Sequence, residues 1–319
     1  MTDISQKSAS DLRVSLPHAC DWCPRACGAD RSGGRRGFCG ADDTLRIARA
    51  ALHFWEEPPI SGERGSGTIF FTHCPLRCVY CQNATIADGT VGREITVGRL
   101  ADICLELQEA GALNINMVTP THYAEHIRVA LADARARGLE LPVVYNTSGY
   151  ETVAAVRRAA GFADIWLTDF KYASAELAAA FSHAPDYPQV ALAALDAMVA
   201  QTGEATFDEV DGEPRMRSGI IVRHLLLPGH VEDSMAVVRL LHGRYGSAIR
   251  LSLMNQYTPI ISPEAPAAKA HPELLARATD EEYECLLDFA DDLGVVDYYW
   301  QDGPAAEDSF IPAFDYTGV

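Results

Sequence analysis

The chain has 319 residues, 48% of them hydrophobic and 22% charged, a composition that allows a large packed core and excludes global disorder. Its net charge of −18 argues against a nucleic-acid partner, because a general binder of nucleic acid needs a basic surface to neutralise phosphates. No apolar run approaches the roughly 20 residues of a spanning helix and no secretory signal is recognisable, so we expect a cytoplasmic protein without a membrane partner.

Residues 1–62 form a cysteine-rich segment that ends in a Pro/Gly-rich stretch. Its four cysteines have the spacing C-x2-C-x3-C-x11-C, and they are Cys20, Cys23, Cys27 and Cys39. In a chain without a secretory signal, cysteines that cluster in this way indicate a metal centre rather than disulfides. Zinc and a second [4Fe-4S] cluster both fit four thiolates. Because neither would keep an open ligand position, we expect a structural or electron-transferring centre.

From residue 63 to residue 262, short apolar runs alternate with segments of helical periodicity. Six runs predict strands: GTIFFTHC (67–74), NINMVTP (114–120), PVVYNTSG (142–149), IWLTDFK (165–171), IIVRHLLLPG (220–229) and IRLSLMNQY (249–257). This alternation predicts right-handed crossovers and a parallel sheet, which we interpret as an incomplete α/β barrel, with an open doubly wound sheet as the alternative. In both folds a ligand binds beyond the carboxyl ends of the strands, where polar residues cluster here.

Residues 263–319 predict a C-terminal extension that packs on the barrel. It contains a helix over 279–293 and an irregular aromatic tail, FIPAFDYTGV (310–319). Two cysteines stand outside the cysteine groups: Cys104 on the apolar stripe of a predicted helix, and Cys285 beside two leucines. We expect both to be small core residues.

The segment HCPLRCVYCQN follows the first predicted strand and carries Cys74, Cys78 and Cys81 at the spacing C-x3-C-x2-C. Three thiolates on one loop can bind three irons of a [4Fe-4S] cluster and leave the fourth iron open to a small ligand. The amino and carboxylate groups of S-adenosylmethionine (SAM) can chelate such an iron, and one electron from the reduced cluster then cleaves the sulfonium C–S bond. The alternative is a zinc site completed by His73 or a distant ligand, although zinc sites more often contain paired C-x2-C units.

The triplet, with Tyr80 directly before its third cysteine, resembles the signature of the radical SAM superfamily. Similarity to the pyruvate formate-lyase activating enzyme branch lies in three motifs: TSGY (147–150), LTDFK (167–171) and RHLLLPG (223–229). Together with the N-terminal cysteines, two more motifs resemble a group within that branch: MVTPTHY (117–123) and LMNQYTP (253–259). The resemblance covers nearly the whole chain. It implies an incomplete (β/α)6 radical SAM barrel with a cysteine-rich N-terminal segment and a C-terminal extension.

The resemblance also implies an oxygen-sensitive oxidoreductase, in which SAM yields a 5′-deoxyadenosyl radical that abstracts hydrogen from a substrate. The partners it implies are a low-potential electron donor, such as flavodoxin or ferredoxin, and a glycyl-radical enzyme as substrate. A peptide or a small molecule is the alternative substrate. The alternative from a different class is an iron–sulfur electron-transfer or binding protein without SAM chemistry.

The residues that we expect around SAM follow successive strands, and they are Tyr80, Thr119, Asn146, Thr147, Ser148, Asp169, Lys171 and Arg223. By the resemblance, Asn146 and Thr147 occupy the third-strand position at the methionyl end of SAM. Asp169 and Lys171 match the fourth-strand pair, and a lysine at a strand end can neutralise the SAM carboxylate. We expect Arg223 to face a carboxylate of SAM or of the substrate.

One stretch departs from the family pattern. Many activating enzymes have Gly-Gly-Glu after the second strand, where the glutamate holds the SAM amino group. This chain has Val118-Thr119-Pro120-Thr121-His122 at that place. Threonine hydroxyls or backbone carbonyls are therefore expected to replace the glutamate.

Overall fold

The computed structural model describes residue 12, residues 14–301 and residues 311–319. The strands found in this part are β1 (Arg46–His53), β2 (Ser66–Phe71), β3 (Arg93–Glu94), β4 (Ile115–Val118), β5 (Val143–Thr147), β6 (Ile165–Asp169), β7 (Thr206–Val210), β8 (Glu213–Leu225), β9 (Arg250–Met254) and β10 (Tyr299–Trp300). The α-helices are α1 (Pro58–Ser61), α2 (Ala84–Ala87), α3 (Val97–Glu109), α4 (Ala124–Ala136), α5 (Val153–Ala159), α6 (Ala175–Ser182), α7 (Tyr187–Thr202), α8 (Val231–Tyr245), α9 (Pro266–Ala270) and α10 (Asp280–Asp292).

The sheet has the strand order β10-β9-β8-β6-β5-β4-β2-β1-β3, and β7 is hydrogen-bonded to β8 beside it. The strands from β2 to β10 along this order run parallel, whereas β1 and β3 are antiparallel at one edge. A doubly wound sheet reverses its strand order at a switch point, and these parallel strands follow in chain order without reversal. In the described residues the sheet stays open between β10 and β3, which confirms the incomplete α/β barrel.

All six predicted strands occur, as β2, β4, β5, β6, β8 and β9. Two features of the sheet were not predicted. Strand β1 lies in the segment that the sequence indicated only as cysteine-rich, and it pairs with β2 on one side and with β3 on the other. The first half of β8 forms a hairpin with β7, whose residues are largely exposed. Exposure on both faces removes the apolar alternation by which a strand is recognised.

Helix α3 shows how the helices cover the sheet. The Thr96 hydroxyl accepts a hydrogen bond from the backbone N–H of Arg99 at 3.0 Å, which caps the helix. Cys104 lies on its buried stripe, so the prediction of a core residue is confirmed there. The same prediction for Cys285 is wrong, because its thiol is exposed on α10. Successive residues of a helix point in different directions, and Leu286 takes the buried direction instead.

The C-terminal extension contacts the sheet near both of its ends, at β9 and at β1. Helix α10 begins in a capping box at Thr279, close to the predicted start, and the Tyr283 hydroxyl donates to the carbonyl of Leu253 in β9 at 2.8 Å. Residues 311–319 are irregular, as expected, and hydrogen-bond to β1, while residue 310 of the predicted tail lies outside the described residues. None of the described helices combines the length and the apolarity needed to cross a membrane.

Candidate active site

The carboxyl ends of the parallel strands surround a cavity of about 240 Å³. Its lining includes every residue that we expected at the cysteine triplet or around SAM: Cys74, Cys78, Tyr80, Cys81, Thr119, Asn146, Thr147, Ser148, Asp169, Lys171 and Arg223. They come together because parallel strands place their carboxyl ends at one edge of the sheet. Their roles as ligands and contacts remain predictions.

The cysteine loop, residues 74–81, follows β2. Two non-glycine residues around its turn have left-handed backbone angles: φ is 70° at His73 and 57° at Arg77. The backbone N–H of Leu76 donates to the Cys74 Sγ at 3.4 Å. Burial, reinforced by neighbouring thiols, raises the pKa of Cys74 to about 11 and the pKa of Cys81 to about 12. These groups therefore stay protonated until a metal displaces the protons.

A chain of hydroxyl groups supports the cysteine loop from the barrel. The hydroxyls of Tyr80 and Tyr172 lie 2.7 Å apart, and that of Tyr172 lies 2.8 Å from the Ser182 Oγ. Ser182 in turn donates to the Cys78 Sγ at 3.0 Å. Hydrogen bonds to sulfur tune the potential of an iron–sulfur cluster. The sequence missed Ser182, because no spacing rule relates it to the triplet.

Asp169 and Lys171 form an ion pair at the end of β6. The Lys171 Nζ donates to the Asp169 Oδ2 at 2.5 Å, and both side chains are mostly buried. Burial opposes the charged form of Lys171, but the Asp169 carboxylate outweighs it and holds the pKa of the lysine well above its ordinary value. The site therefore keeps one fixed cation beside the thiols.

Tyr187 and Gly149 join the ends of β5 and β6. The Tyr187 hydroxyl donates to the Ser148 carbonyl at 2.8 Å and accepts from the backbone N–H of Lys171 at 3.0 Å. Gly149 has a φ of +77°, and a Cβ there would lie 2.1 Å from the Asp169 carbonyl oxygen. Only glycine allows this close approach, which sets the spacing between Ser148 and Asp169.

Arg223 already has two carboxylate partners. Its Nε and Nη2 donate to the two carboxylate oxygens of Glu57, each at 2.7 Å, and Nη2 also donates to Glu56. The Asn116 amide donates to Glu56 at 2.8 Å. Arg223 still lines the cavity, so its expected contact with a ligand carboxylate stays open. The sequence missed Glu56 and Glu57, which lie in the Pro/Gly-rich stretch at the end of the cysteine-rich segment.

Glu151 is a buried glutamate that follows the end of β5. Its Oε1 accepts from the Thr147 hydroxyl at 2.6 Å and from the Thr121 hydroxyl, while its Oε2 has no hydrogen-bond partner among the described residues. Burial raises the pKa of Glu151 to about 7. The Thr147 hydroxyl is thus oriented by a residue that the sequence did not indicate.

The four N-terminal cysteines lie together in residues 20–39. Burial opposes the thiolate of Cys27, but neighbouring backbone N–H groups and the Cys20 thiol outweigh it and lower the pKa of Cys27. A Cβ at Gly37 would lie 2.9 Å from the Cys27 Sγ and 3.8 Å from the Cys39 Sγ, so glycine keeps open the space that both thiols face. Burial raises the pKa of Cys23 to about 12.

Both donor sets fit the predicted groups by their chemistry, since thiolates suit iron–sulfur clusters and zinc. Among the described residues, no group of three or more His, Cys, Asp or Glu side chains has an arrangement that could hold a metal ion. The fit rests on the chemistry of the thiols and on two observations: three thiols border an open cavity, and the space beside Gly37 faces two more.

Fold and site together define an α/β protein with an open parallel sheet and a cavity bordered by thiols at its strand ends. No family model matches the chain. Over 294 residues it is 26% identical to an uncharacterized protein of Methanocaldococcus jannaschii, an alignment that covers 88% of this chain and 78% of that protein.

Among solved structures, SuiB of Streptococcus suis bound to its precursor peptide SuiA aligns with a TM-score of 0.47 and 12% identity, over 73% of this chain and 47% of SuiB. The chain thus spans about half the length of SuiB. SuiB bound to S-adenosylmethionine also gives 0.47 at 12% identity, over 74% of this chain and 50% of SuiB. Methylornithine synthase gives 0.43 at 11% identity, over 74% of this chain and 72% of the synthase.

Proposed function

We propose that this protein is a radical SAM enzyme in which Cys74, Cys78 and Cys81 hold a [4Fe-4S] cluster with one open iron. One observation carries the proposal: the cysteine triplet and the polar residues at the ends of β4, β5 and β6 line the same cavity. An electron carrier needs thiolate ligands but has no use for an open cavity with a lysine, an amide and hydroxyls around it. That polar set suits the charged methionyl end of SAM.

When bound and reduced, the cluster supplies the electron that cleaves SAM into methionine and a 5′-deoxyadenosyl radical. Lys171 pairs with the SAM carboxylate, and Asp169 keeps that lysine charged and in place. Asn146 and Thr147 offer an amide and a hydroxyl to the other polar atoms of the methionyl end. The apolar part of the cavity lining excludes water from the reaction, and it includes Phe70, Val118, Leu225 and Met254.

Hydrogen abstraction then leaves 5′-deoxyadenosine and a substrate radical, which is the chemistry of the oxidoreductase that we propose. The similarity to activating enzymes favours a glycyl residue of a partner enzyme as the hydrogen donor, with a peptide or a small molecule as alternatives. A flavodoxin or a ferredoxin supplies the electron. The four N-terminal cysteines hold a second centre, either zinc or [4Fe-4S].

The test is reductive SAM cleavage under strict anaerobiosis. Reconstituted protein is incubated with dithionite and SAM, and 5′-deoxyadenosine is quantified. The wild type and a Cys104→Ala control, which loses a buried thiol that does not line the cavity, are expected to form it. A triple Cys74→Ala, Cys78→Ala, Cys81→Ala variant is expected to form none. If the wild type forms none despite an intact cluster and several reductants, the protein is an iron–sulfur electron-transfer or binding protein.

A further inference from the structure

Arg25 connects the segment of the N-terminal cysteines to the cysteine loop. Arg25 lies between Cys23 and Cys27, and its guanidinium reaches the cysteine loop. Nε donates to the Pro75 carbonyl at 3.0 Å and Nη2 to the Leu76 carbonyl at 3.3 Å. The same guanidinium donates at 2.9 Å and 2.5 Å to two carbonyls at the end of α6, those of Ser182 and His183. It thereby joins the N-terminal segment, the cysteine loop and the helix end that supports Cys78.

The cysteine loop also contacts the N-terminal segment through an arginine of its own. Arg77 donates to the Cys39 carbonyl at 3.1 Å. The Phe38 ring lies against both guanidiniums, with the Arg25 carbon 4.2 Å and the Arg77 carbon 5.7 Å from its centroid. Gly40, with a φ of +91°, leaves room for the His73 ring, since a Cβ there would lie 3.1 Å from the His73 Nδ1. Each group of cysteines is therefore in contact with residues next to the other group.

The N-terminal segment has few means of holding its own shape. No helix or strand forms between residue 14 and residue 45. The part around the first three cysteines packs in a small cluster of its own, which consists of Cys20, Trp22 and Ala29 with Leu16 beside it, whereas the end of the segment from Cys39 to Leu45 joins the main core. Segments of this size usually need a bound metal or a covalent cross-link for stability, and the four thiols can serve as metal ligands.

We propose that the N-terminal segment is a metal-dependent clamp on the cysteine loop. A thiolate-bound centre at Cys20, Cys23, Cys27 and Cys39 orders the segment, and Arg25 then holds the carbonyls of Pro75 and Leu76. Arg25 is a positioning residue: it acts on Cys74 and Cys78 through the backbone between them. The role of the clamp in catalysis rests on the proposed function, whereas the clamp itself can be measured without it.

The experiment uses the full chain with Cys74, Cys78 and Cys81 replaced by Ser and the exposed Cys285 replaced by Ala, so that the N-terminal group is the one cluster of thiols left to bind added metal. Hydrogen–deuterium exchange of peptides from the cysteine loop is compared under anaerobiosis in metal-free, zinc-loaded, and iron- and sulfide-loaded protein. We expect metal to slow exchange in the cysteine loop by about tenfold, the factor for one hydrogen bond from a charged donor. If only the zinc-loaded protein or only the iron- and sulfide-loaded protein shows this slowing, that result identifies the centre as zinc or iron–sulfur.

Arg25→Ala should bind the same amount of metal but lose the protection of the cysteine loop. Arg25→Lys should not restore the protection, because an ammonium lacks the planar set of N–H donors with which the guanidinium reaches several carbonyls at once. The matched control is Arg158→Ala, since the Arg158 guanidinium contacts the N-terminal segment at Trp22 rather than at the cysteine loop. Peptides from α10 report global unfolding and should stay unchanged in every variant.

Two results overturn the clamp: no metal binds to the N-terminal thiols, or metal binds and exchange in the cysteine loop does not change. If the triple serine variant does not fold, the triple alanine variant takes its place. Neither result bears on SAM cleavage, which the wild-type assay decides separately.

Discussion

The Lys171 ammonium lies 2.5 Å from the Asp169 carboxylate, and both side chains line the cavity that the three thiols of the cysteine loop border. A lysine buried alone tends to lose its proton, because burial disfavours the charged form. The carboxylate two positions earlier on the same strand end prevents that. The pair is neutral in sum, but it keeps an ammonium group in the cavity lining that can donate hydrogen bonds to a ligand.

Replacing this charge tests its role in binding. Lys171→Met should weaken SAM binding by about 10- to 100-fold, the range for one charge-assisted hydrogen bond. The dissociation constant is measured by equilibrium dialysis of reconstituted protein under anaerobiosis. Lys269→Met is the matched control, since Lys269 is exposed and paired with Glu264 at 3.0 Å. Unchanged SAM binding by Lys171→Met would mean that the lysine serves only to neutralise Asp169.

The close approach at Gly149 makes a stability prediction. Gly149→Ala places a methyl group against the Asp169 carbonyl in a left-handed backbone, so we expect the free energy of unfolding to fall by at least about 2 kcal/mol. Gly243→Ala is the control: Gly243 lies in α8 with no atom within 4 Å of the added Cβ. It should stabilise by about 0.5–1 kcal/mol, because alanine favours helix. Urea unfolding of the metal-free protein measures both, and equal effects would contradict the argument.

The buried ion pair of Arg223 with Glu56 and Glu57 makes a second prediction about stability. Arg223→Met leaves both carboxylates buried without their cation and should cost about 3–5 kcal/mol of unfolding free energy. Arg244→Met breaks an exposed pair with Asp196 and should cost no more than about 1 kcal/mol.

Adding Glu56→Gln and Glu57→Gln to Arg223→Met should recover most of the loss, since no buried charge then remains unpaired. Urea unfolding measures the free energy of unfolding of these variants. A loss below about 1 kcal/mol in Arg223→Met would show that water solvates the two carboxylates in that variant.

Glu151 predicts a pH dependence of stability. Burial raises the pKa of Glu151 from 4.5 to about 7 in the folded protein. The stability of the neutral form is complete below pH 4.5 and is lost as pH rises towards 7, because the unfolded chain ionises first. Glu151→Gln cannot ionise, so its stability relative to the wild type should increase by roughly 3 kcal/mol from acid to mildly alkaline pH.

Urea titrations of both proteins across this pH range give the difference directly. The buried histidines are present in both proteins, and their contributions cancel. A difference that does not vary with pH would show that Glu151 is hydrated in the folded state.

Much of the site could be predicted because its signals are local in sequence. The spacing of Cys74, Cys78 and Cys81 on one loop is a local pattern, and so is a lysine two positions after Asp169 at the end of an apolar run. Six strands were recognised because burial on both faces leaves continuous apolar runs. Once these strands are parallel and in chain order, their polar ends must meet at one edge.

What only the tertiary structure decided is the partner of each side chain. Arg223 faces Glu56 and Glu57, Ser182 faces Cys78, and Arg25 reaches Pro75 between two cysteines, all across long stretches of chain. Periodicity reports whether a residue is buried, but not what it meets there. Such contacts depend on sheet register and on how the loops fold over the strand ends. The sequence thus determined the order of the six parallel strands and the cysteines and polar residues at their ends, and the tertiary structure determined how the cysteine loop and its supporting residues fit together.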